Sequence, residues 1–209
     1  MQESPPRPTP AIQWLVWGPL GLVVAGIIGL YVRERLAPPL PVISQVADFK
    51  LADQQGNPVT LADLRGKVWV ADIIFTRCPG PCLQMTQRMQ ALQSALPPGA
   101  WLVSITTDPD FDTPSVLAKY AARFGAQSHR WRFLTGTRDQ VRTLAVDSLK
   151  LVLQDVPAAQ RNAENDLFIH STLFVVVDAA GRVRAAIESE PPQHRPRVVA
   201  AVARLLREK

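Results

Sequence analysis

The fold of this chain is decided by residues 68–82, which have the sequence VWVADIIFTRCPGPC. Residues 68–75 are apolar except for Asp72, and such a continuous apolar run predicts a strand that is buried on both faces of a sheet. The loop that follows holds Cys78 and Cys82, the two cysteines of the 209-residue chain. Apolar side chains then recur at helical spacing and predict a helix with one buried face, at Met85, Met89, Leu92 and Leu96. The stretch therefore predicts a strand–loop–helix unit with both cysteines at the junction.

Further strands and helices alternate around this unit. Apolar and β-branched segments predict strands at 48–51, 59–61, 101–106, 131–134, 149–153, 171–177 and 182–187. Helices are predicted to begin near Thr137 and Pro196 and at Thr113, which can cap a helix that has Pro114 in its first turn. Alternating strands and helices that end in a hairpin and a last helix are typical of a thioredoxin-like α/β sandwich with a central mixed sheet.

The N-terminal region predicts a membrane anchor. Residues 14–32 carry no charged side chain, and a helix of this length nearly spans a hydrocarbon core of about 30 Å. A cleaved signal peptide is the alternative, but no A-x-A cleavage site follows. We therefore expect a disordered tail at 1–13, one transmembrane helix at 14–32, a proline-rich linker at 33–44 and a globular domain at 45–209. The net charge of +5 is spread without basic blocks, which argues against nucleic-acid binding.

The cysteine pair can be a redox dithiol, a local disulfide or part of a metal site. A cysteine at a helix N-terminus is expected to have a lowered pKa, and Arg77 adds positive charge nearby. A thiolate is both a nucleophile and a soft ligand, which favours Cu(I), with zinc as the usual competitor.

A third metal ligand is most simply a histidine. His170 directly precedes the strand predicted at 171–177, and in a thioredoxin-like fold the segment entering that strand lies beside the cysteine loop, where ordinary reductases carry a cis-proline. His129 and His194 stand in polar, arginine-containing segments and are expected at the surface. Other potential ligands are expected to have structural roles. Met85 and Met89 fit the buried face of a helix, and Asp72 is expected to be a buried carboxylate. Turn formation and helix capping explain Asp108, Asp110 and Asp112.

Four segments, in this order along the chain, resemble the Sco/SenC family: 70–82 (VADIIFTRCPGPC), 104–109 with 112–114 (SITTDP and DTP), 133–136 (FLTG) and 169–172 (IHST). The resemblance covers about residues 45–209 and implies a thioredoxin-like fold in which Cys78, Cys82 and His170 bind copper. It implies a metallochaperone that assists assembly of the dinuclear copper centre of cytochrome c oxidase, with oxidase subunit II as its partner. Further partners would be other periplasmic copper chaperones or thioredoxin-like reductants.

The resemblance also implies a single-pass protein of the cell inner membrane, with its domain on the periplasmic side. The chain departs from the family pattern at Gly80, where many members have an acidic residue in the cysteine loop. Asp108, in the Thr-Asp-Pro segment at 107–109, is expected to lie next to the metal ligands.

A thiol–disulfide oxidoreductase remains the alternative function. Cys78 would attack a disulfide and Cys82 would resolve the mixed disulfide. A reductase needs no imidazole at position 170, so His170 separates the two hypotheses. A peroxiredoxin-like peroxidase is less consistent with the chain, which lacks the Pro-x-x-x-Thr-x-x-Cys spacing. The polar segment at 154–167 is expected to be a long functional loop that moves His170 relative to the cysteines.

Overall fold

The computed structural model describes residues 17–29, 38–78, 80–156, 168–170, 172–190 and 192–208. The chain divides into two units, Met1–Pro39 and Leu40–Lys209. Residues 17–29 of the first unit are helical (α1). Among the described residues, no helix is both long enough and apolar enough to cross a bilayer. Parts of the predicted anchor, at 14–16 and 30–32, lie outside the described residues, as does the predicted tail at 1–13.

The second unit is built on an eight-stranded mixed sheet. Its strands are β1 (Ser44–Gln45), β2 (Lys50–Asp53), β3 (Pro58–Thr60), β4 (Val68–Ile74), β5 (Ala100–Thr106), β6 (Trp131–Thr135), β9 (Leu173–Val177) and β10 (Arg182–Glu188). They lie in the order β1-β10-β9-β4-β5-β6-β2-β3. The central strands β4, β5 and β6 are parallel, whereas β9 runs antiparallel to β4. Two further strands, β7 (Leu153–Asp155) and β8 (Phe168–His170), form a separate antiparallel ribbon.

Helices cover the sheet and bury both of its faces. They are α2 (Leu61–Leu64), α3 (Pro81–Ala95), α4 (Pro114–Arg123), α5 (Arg138–Arg142) with a π-helix at Thr143–Ser148, and α6 (His194–Arg207). All seven residues of β4 are buried, and their side chains alternate between two core clusters. The mixed sheet between helices and the doubly buried central strand confirm the fold expected from residues 68–82.

Two local predictions on the helices are also confirmed. Met85 and Met89 are fully buried in the cluster between α3 and the sheet, where each side chain contributes about 1.5–3 kcal/mol of hydrophobic free energy. The Thr113 hydroxyl caps α4 by accepting a hydrogen bond from the Val116 amide, and Pro114 occupies the first turn. These methionines therefore belong to the core.

The strand predicted at 149–153 is wrong in position. The π-helix continues to Ser148, and the amides of Leu149 and Leu151 bond back to the carbonyls of Leu144 and Ala145. The chain then turns at Lys150, which has a positive φ of 60°. The strand therefore begins at residue 153, and only residues 154–156 of the predicted loop at 154–167 are described.

Candidate metal centre

The cysteine loop joins the end of β4 to the start of α3. Gly80 is the N-cap of α3, Pro81 takes the first helical position, and Cys82 follows it. Cys82 is fully buried in the core cluster, whereas Cys78 is half-buried. The amide of Cys78 bonds to the carbonyl of Phe75 at 3.2 Å and closes a tight turn. One sulfur is therefore accessible from outside and the other lies beneath it.

The two cysteines form no disulfide, and their thiols are in contact. The Cys78 thiol forms a hydrogen bond with the Cys82 thiol, and this bond, burial and the charge on Cys78 raise the pKa of Cys82 far above its usual range. A backbone hydrogen bond from Phe75 opposes the shift but does not reverse it. The lowered pKa expected from the helix N-terminus is therefore wrong for Cys82, because burial and the neighbouring sulfur outweigh the helix dipole.

A buried hydroxyl pair fixes the first turn of α3. The Thr86 hydroxyl donates to the Cys82 carbonyl at 2.9 Å and lies 2.9 Å from the Tyr120 hydroxyl on α4. Burial raises the pKa of Tyr120 to about 12, despite the hydrogen bond with Thr86, so the phenol stays neutral. Because the Thr86 proton is committed to the carbonyl, Tyr120 is the donor of this pair. Helix α4 thus positions the backbone that carries Cys82.

Asp112 ties the cysteine loop to the loop after β5. Its carboxylate accepts hydrogen bonds from the Thr76 amide at 3.1 Å, from the Thr76 hydroxyl, and from the Thr106 hydroxyl at 2.5 Å. Burial raises the pKa of Asp112, the bonds from Thr106 and Thr76 lower it, and the charge of Asp108 raises it again, with a net increase. The sequence predicts only a turn or cap at Asp112, because its hydrogen-bond partners Thr76 and Thr106 lie on other elements of the fold.

Arg77, in the cysteine loop, also contacts the loop after β5. Its guanidinium contacts the Asp108 carboxylate at 2.5 Å and lies 4.2 Å from the centre of the Phe111 ring. The Arg77 side chain is 37% exposed and Phe111 is 44% exposed, so both contribute to the surface beside Cys78. The Asp108 amide donates to the Thr106 hydroxyl at 3.0 Å, and the Asp108 carbonyl accepts from the Asp112 amide at 2.8 Å. Asp110 instead forms an exposed ion pair with Arg138.

The position of His170 follows from its backbone. His170 pairs with Leu153 in the β7–β8 ribbon, three residues before β9 begins. Because β9 runs antiparallel to β4, the start of β9 lies at the end of the sheet from which the cysteine loop emerges. The His170 side chain lies outside the described part of the structure. Among the described side chains, no group of three or more His, Cys, Asp or Glu residues could hold a metal ion.

The other two histidines differ in exposure. His129 is exposed, which confirms its surface position. His194 is half-buried at the start of α6 with its ring 5.9 Å from the Phe174 ring, so the expectation of a surface residue is wrong for it. Burial and the positive charge of Arg88 lower the pKa of His194, and its Nδ1 has no hydrogen-bond partner among the described residues. Packing between α6 and β9 accounts for this burial.

Gly80 has open space around it. A Cβ atom built there meets nothing within 4 Å, and its φ of −127° is open to any residue. An acidic side chain therefore has room at this position. Aspartate is also a better N-cap than glycine.

We expect the Gly80→Asp variant to bind Cu(II) about tenfold more tightly, because a carboxylate near the metal suits Cu(II) better than Cu(I). Equilibrium competition for Cu(II) measures the change. Gly80→Ala is the matched control, since it fills the same space without a charge. Equal Cu(II) affinities for the alanine and aspartate variants would contradict the expected role of the carboxylate.

Comparison with known proteins identifies the family. The family model described as SCO1/SenC matches residues 41–207, which is most of the chain. The chain belongs to the SCO1/SenC family. It is 31% identical to the SCO1 protein homolog of Bacillus subtilis over 169 residues, which are 77% of this chain and 83% of the relative. The family predicted from the cysteine and histidine segments is therefore confirmed.

Solved structures of the family share the fold. The structure of BsSco, a cytochrome c oxidase assembly protein of the Sco family with an identified disulfide switch, matches with a TM-score of 0.70 and 28% identity, over 82% of this chain and 100% of BsSco. Yeast Sco1 with copper bound matches with a TM-score of 0.66 and 24% identity, over 79% and 90% of the two chains. These matches confirm the thioredoxin-like fold.

Proposed function

We propose that this protein is a copper chaperone that binds copper through Cys78, Cys82 and His170 and delivers it to the dinuclear copper site of cytochrome c oxidase subunit II. The observation that carries the proposal is the contact between two thiols that form no disulfide, one half-buried and one fully buried, at a strand–helix junction. Two adjacent sulfurs are a soft donor set that favours Cu(I). Family membership and the copper bound to yeast Sco1 support the same reading.

The arrangement of the sulfurs suits both holding and releasing copper. Binding of Cu⁺ converts two thiols into two thiolates and releases two protons, with a neutral imidazole as third ligand. The buried Cys82 secures the ion, while the half-buried Cys78 can be exchanged for a thiolate of the acceptor. Copper is thus the cargo of the protein, and the protein is not an enzyme in the turnover sense.

The location follows from the same function. Residues 14–32 would anchor the chain in the cell inner membrane by a single pass, with the unit Leu40–Lys209 on the periplasmic side. Cytochrome c oxidase is itself a membrane complex, so the tether holds the donor site close to its acceptor. Other periplasmic copper chaperones or thioredoxin-like reductants would load or reduce the site.

A Cu(I) competition experiment tests the ligand set. The full chain in detergent is titrated against a chelator beside His170→Ala and the control His129→Ala, which removes an exposed imidazole. We expect His170→Ala to lose about 100-fold in affinity, or about 2.7 kcal/mol, and His129→Ala to match the wild type. If His170→Ala retains wild-type affinity, His170 is not a ligand.

The second candidate function is a thiol–disulfide oxidoreductase, and the unequal burial of the two sulfurs favours it. The Cys78 thiolate would attack a partner disulfide, which forms a mixed disulfide and releases one partner thiolate. The Cys82 thiolate would then attack the Cys78 sulfur, which releases the second partner thiol and leaves a Cys78–Cys82 disulfide. Oxidase copper-site cysteines, or other extracytoplasmic disulfides, are the substrates this role would serve.

Oxidation of Cys78 and Cys82 tests whether copper binding requires the reduced thiols. A Cys78–Cys82 disulfide offers no thiolate, so we expect the oxidised protein to lose Cu(I) binding and to regain it after reduction. Chelator competition before and after treatment with a thiol oxidant measures this, and a third titration after renewed reduction is the control for damage by the oxidant. Tight Cu(I) binding by the fully oxidised protein would contradict the proposed site.

A further inference from the structure

A groove at the edge of the sheet combines apolar and cationic side chains. It has a volume of about 500 Å³ and lies between the first residues of the unit Leu40–Lys209, strand β10 and helix α6. Leu40, Pro41 and Ile43 line one side, and Arg197, Ala200 and Arg204 line the other. The cysteine loop follows the central strand β4, whereas this groove lies at the β1–β10 edge. The groove is therefore separate from the proposed copper site.

Arg184 anchors the start of the unit in this groove. Its guanidinium donates to the Leu40 carbonyl at 2.6 and 3.0 Å and is only 4% exposed. Asp178 at 2.8 Å and Glu208 at 3.0 Å neutralise its charge. Arg184 therefore serves to hold the incoming chain against α6 and is not available to a ligand.

The rim of the groove is amphipathic. Helix α6 carries four arginines and no acidic residue. Arg197 is exposed, and no described carboxylate forms an ion pair with it. The Arg204 side chain is 24% exposed and forms an ion pair with Glu208 at 3.6 Å. Ile43 lines the opposite side of the groove and is 48% exposed, and its neighbour in the chain, Val42, is 55% exposed. Exposed aliphatic side chains beside arginines are typical of surfaces that bind anionic membranes.

The sequence places only a short linker between the predicted anchor and the first residues of this groove. Leu40 lies eight residues after Val32, the last residue of the predicted membrane segment. At no more than about 3.5 Å per residue, the reach is at most about 28 Å. Prolines at positions 38, 39 and 41 limit the flexibility of this connection. A surface tethered so closely meets lipid headgroups at high effective concentration.

We infer that this groove and its rim form a docking surface for anionic phospholipid headgroups. Arg197 binds lipid phosphates, Arg204 adds positive charge beside it, and the side chains of Val42 and Ile43 enter the interfacial layer. The inference rests on the proposed membrane tether, and it adds a defined orientation of the domain. Because the groove lies at the β1–β10 edge, docking leaves the cysteine loop free to meet a membrane-embedded partner.

Vesicle co-sedimentation of the fragment 40–209 tests the surface without the anchor. Both core clusters of this unit consist of residues within it, and the BsSco structure is matched over its full length by 82% of this chain, so the fragment folds on its own. We expect binding to vesicles of phosphatidylglycerol and phosphatidylcholine, weak binding to pure phosphatidylcholine, and loss of binding at high salt.

Two matched double variants locate the binding surface. Arg197→Gln/Arg204→Gln should weaken vesicle binding about tenfold or more, whereas Arg123→Gln/Arg142→Gln, which removes the same charge from exposed positions elsewhere, should bind as wild type. Val42→Ser/Ile43→Ser should also weaken binding, without removing any charge. Equal losses in both arginine double variants would overturn the inference, because binding would then depend on net charge alone.

Two further readouts separate the possible outcomes. Dimerisation of the fragment through this face without lipid would overturn the inference in favour of a second copy of the chain. A Cu(I) titration of the same fragment reports on the proposed chaperone function independently. Vesicle binding without copper binding would support the docking surface and refute the proposed chaperone function. Copper binding without vesicle binding would refute the docking surface and support the chaperone function.

Discussion

Replacing Cys78 by serine is expected to lower the Cu(I) affinity at least about 1,000-fold, or about 4.1 kcal/mol, with little loss of stability. A serine hydroxyl remains protonated at neutral pH and is a poor ligand for a soft ion. Cys78 is half-buried, so the nearly isosteric replacement leaves no cavity. Competition with a Cu(I) chelator measures the affinity, and urea unfolding of the metal-free protein measures the stability.

Cys82→Ser is the matched comparison for this experiment. It should lose copper equally, but it should also lower the free energy of unfolding by about 1–3 kcal/mol, because the new hydroxyl is fully buried among apolar side chains. The two variants thus separate ligation from packing. A Cys78→Ser protein that holds Cu(I) as tightly as the wild type would refute the proposed metal site.

Asp112→Ala is expected to lower the free energy of unfolding by about 3 kcal/mol or more. The substitution removes the acceptor of three hydrogen bonds and leaves the Thr76 amide, the Thr76 hydroxyl and the buried Thr106 hydroxyl without it, at about 1–3 kcal/mol for each group left unsatisfied. Since Thr76 lies two residues before Cys78, the cysteine loop should become more mobile and bind copper more weakly. Urea unfolding measures the stability, amide exchange measures the mobility of the loop, and Cu(I) competition measures the affinity.

Two control variants sharpen the test of Asp112. Asp112→Asn keeps an acceptor for the Thr76 amide and the Thr106 hydroxyl, and the Thr76 hydroxyl can accept from the new amide, so a loss of about 1 kcal/mol is expected. Asp110→Ala removes only an exposed ion pair with Arg138 and should cost at most about 1 kcal/mol. If Asp112→Ala is no less stable than Asp110→Ala, the carboxylate does not connect the two loops.

The pH dependence of these variants follows from the raised pKa of Asp112. Burial, as the main cause, raises this pKa above its usual value of about 3.9, so the folded state holds the proton more tightly than the unfolded state. The wild type should therefore gain stability relative to Asp112→Asn as the pH falls from 7 towards 4, and lose it as the pH rises through the folded-state pKa. Urea unfolding at several pH values checks the sign, and a constant difference would contradict it.

Much of the fold could be predicted from local patterns. The apolar run of β4, the helical spacing of Met85 and Met89, and the Thr113 cap each depend on residues close together in the sequence, and each is confirmed. The segments that resemble the Sco/SenC family extended the prediction to the whole thioredoxin-like sandwich. The strand predicted at 149–153 failed because a π-helix and the turn at Lys150 displaced it to residue 153, and apolar content does not distinguish these alternatives.

The candidate site, like the fold, was only partly predictable from the sequence. The sequence alone indicated the proposed donor atoms, since the two cysteines and their strand–helix context are local, and it made His170 the candidate third ligand by its place before β9. Only the tertiary structure decided the state of those donors, because Cys82 is buried against Cys78 and its pKa rises where the helix dipole alone would lower it. The same holds for Asp112, whose partner Thr76 lies 36 residues away. Burial and hydrogen bonding between distant elements set the electrostatics of a buried group, and no local pattern of residues encodes them.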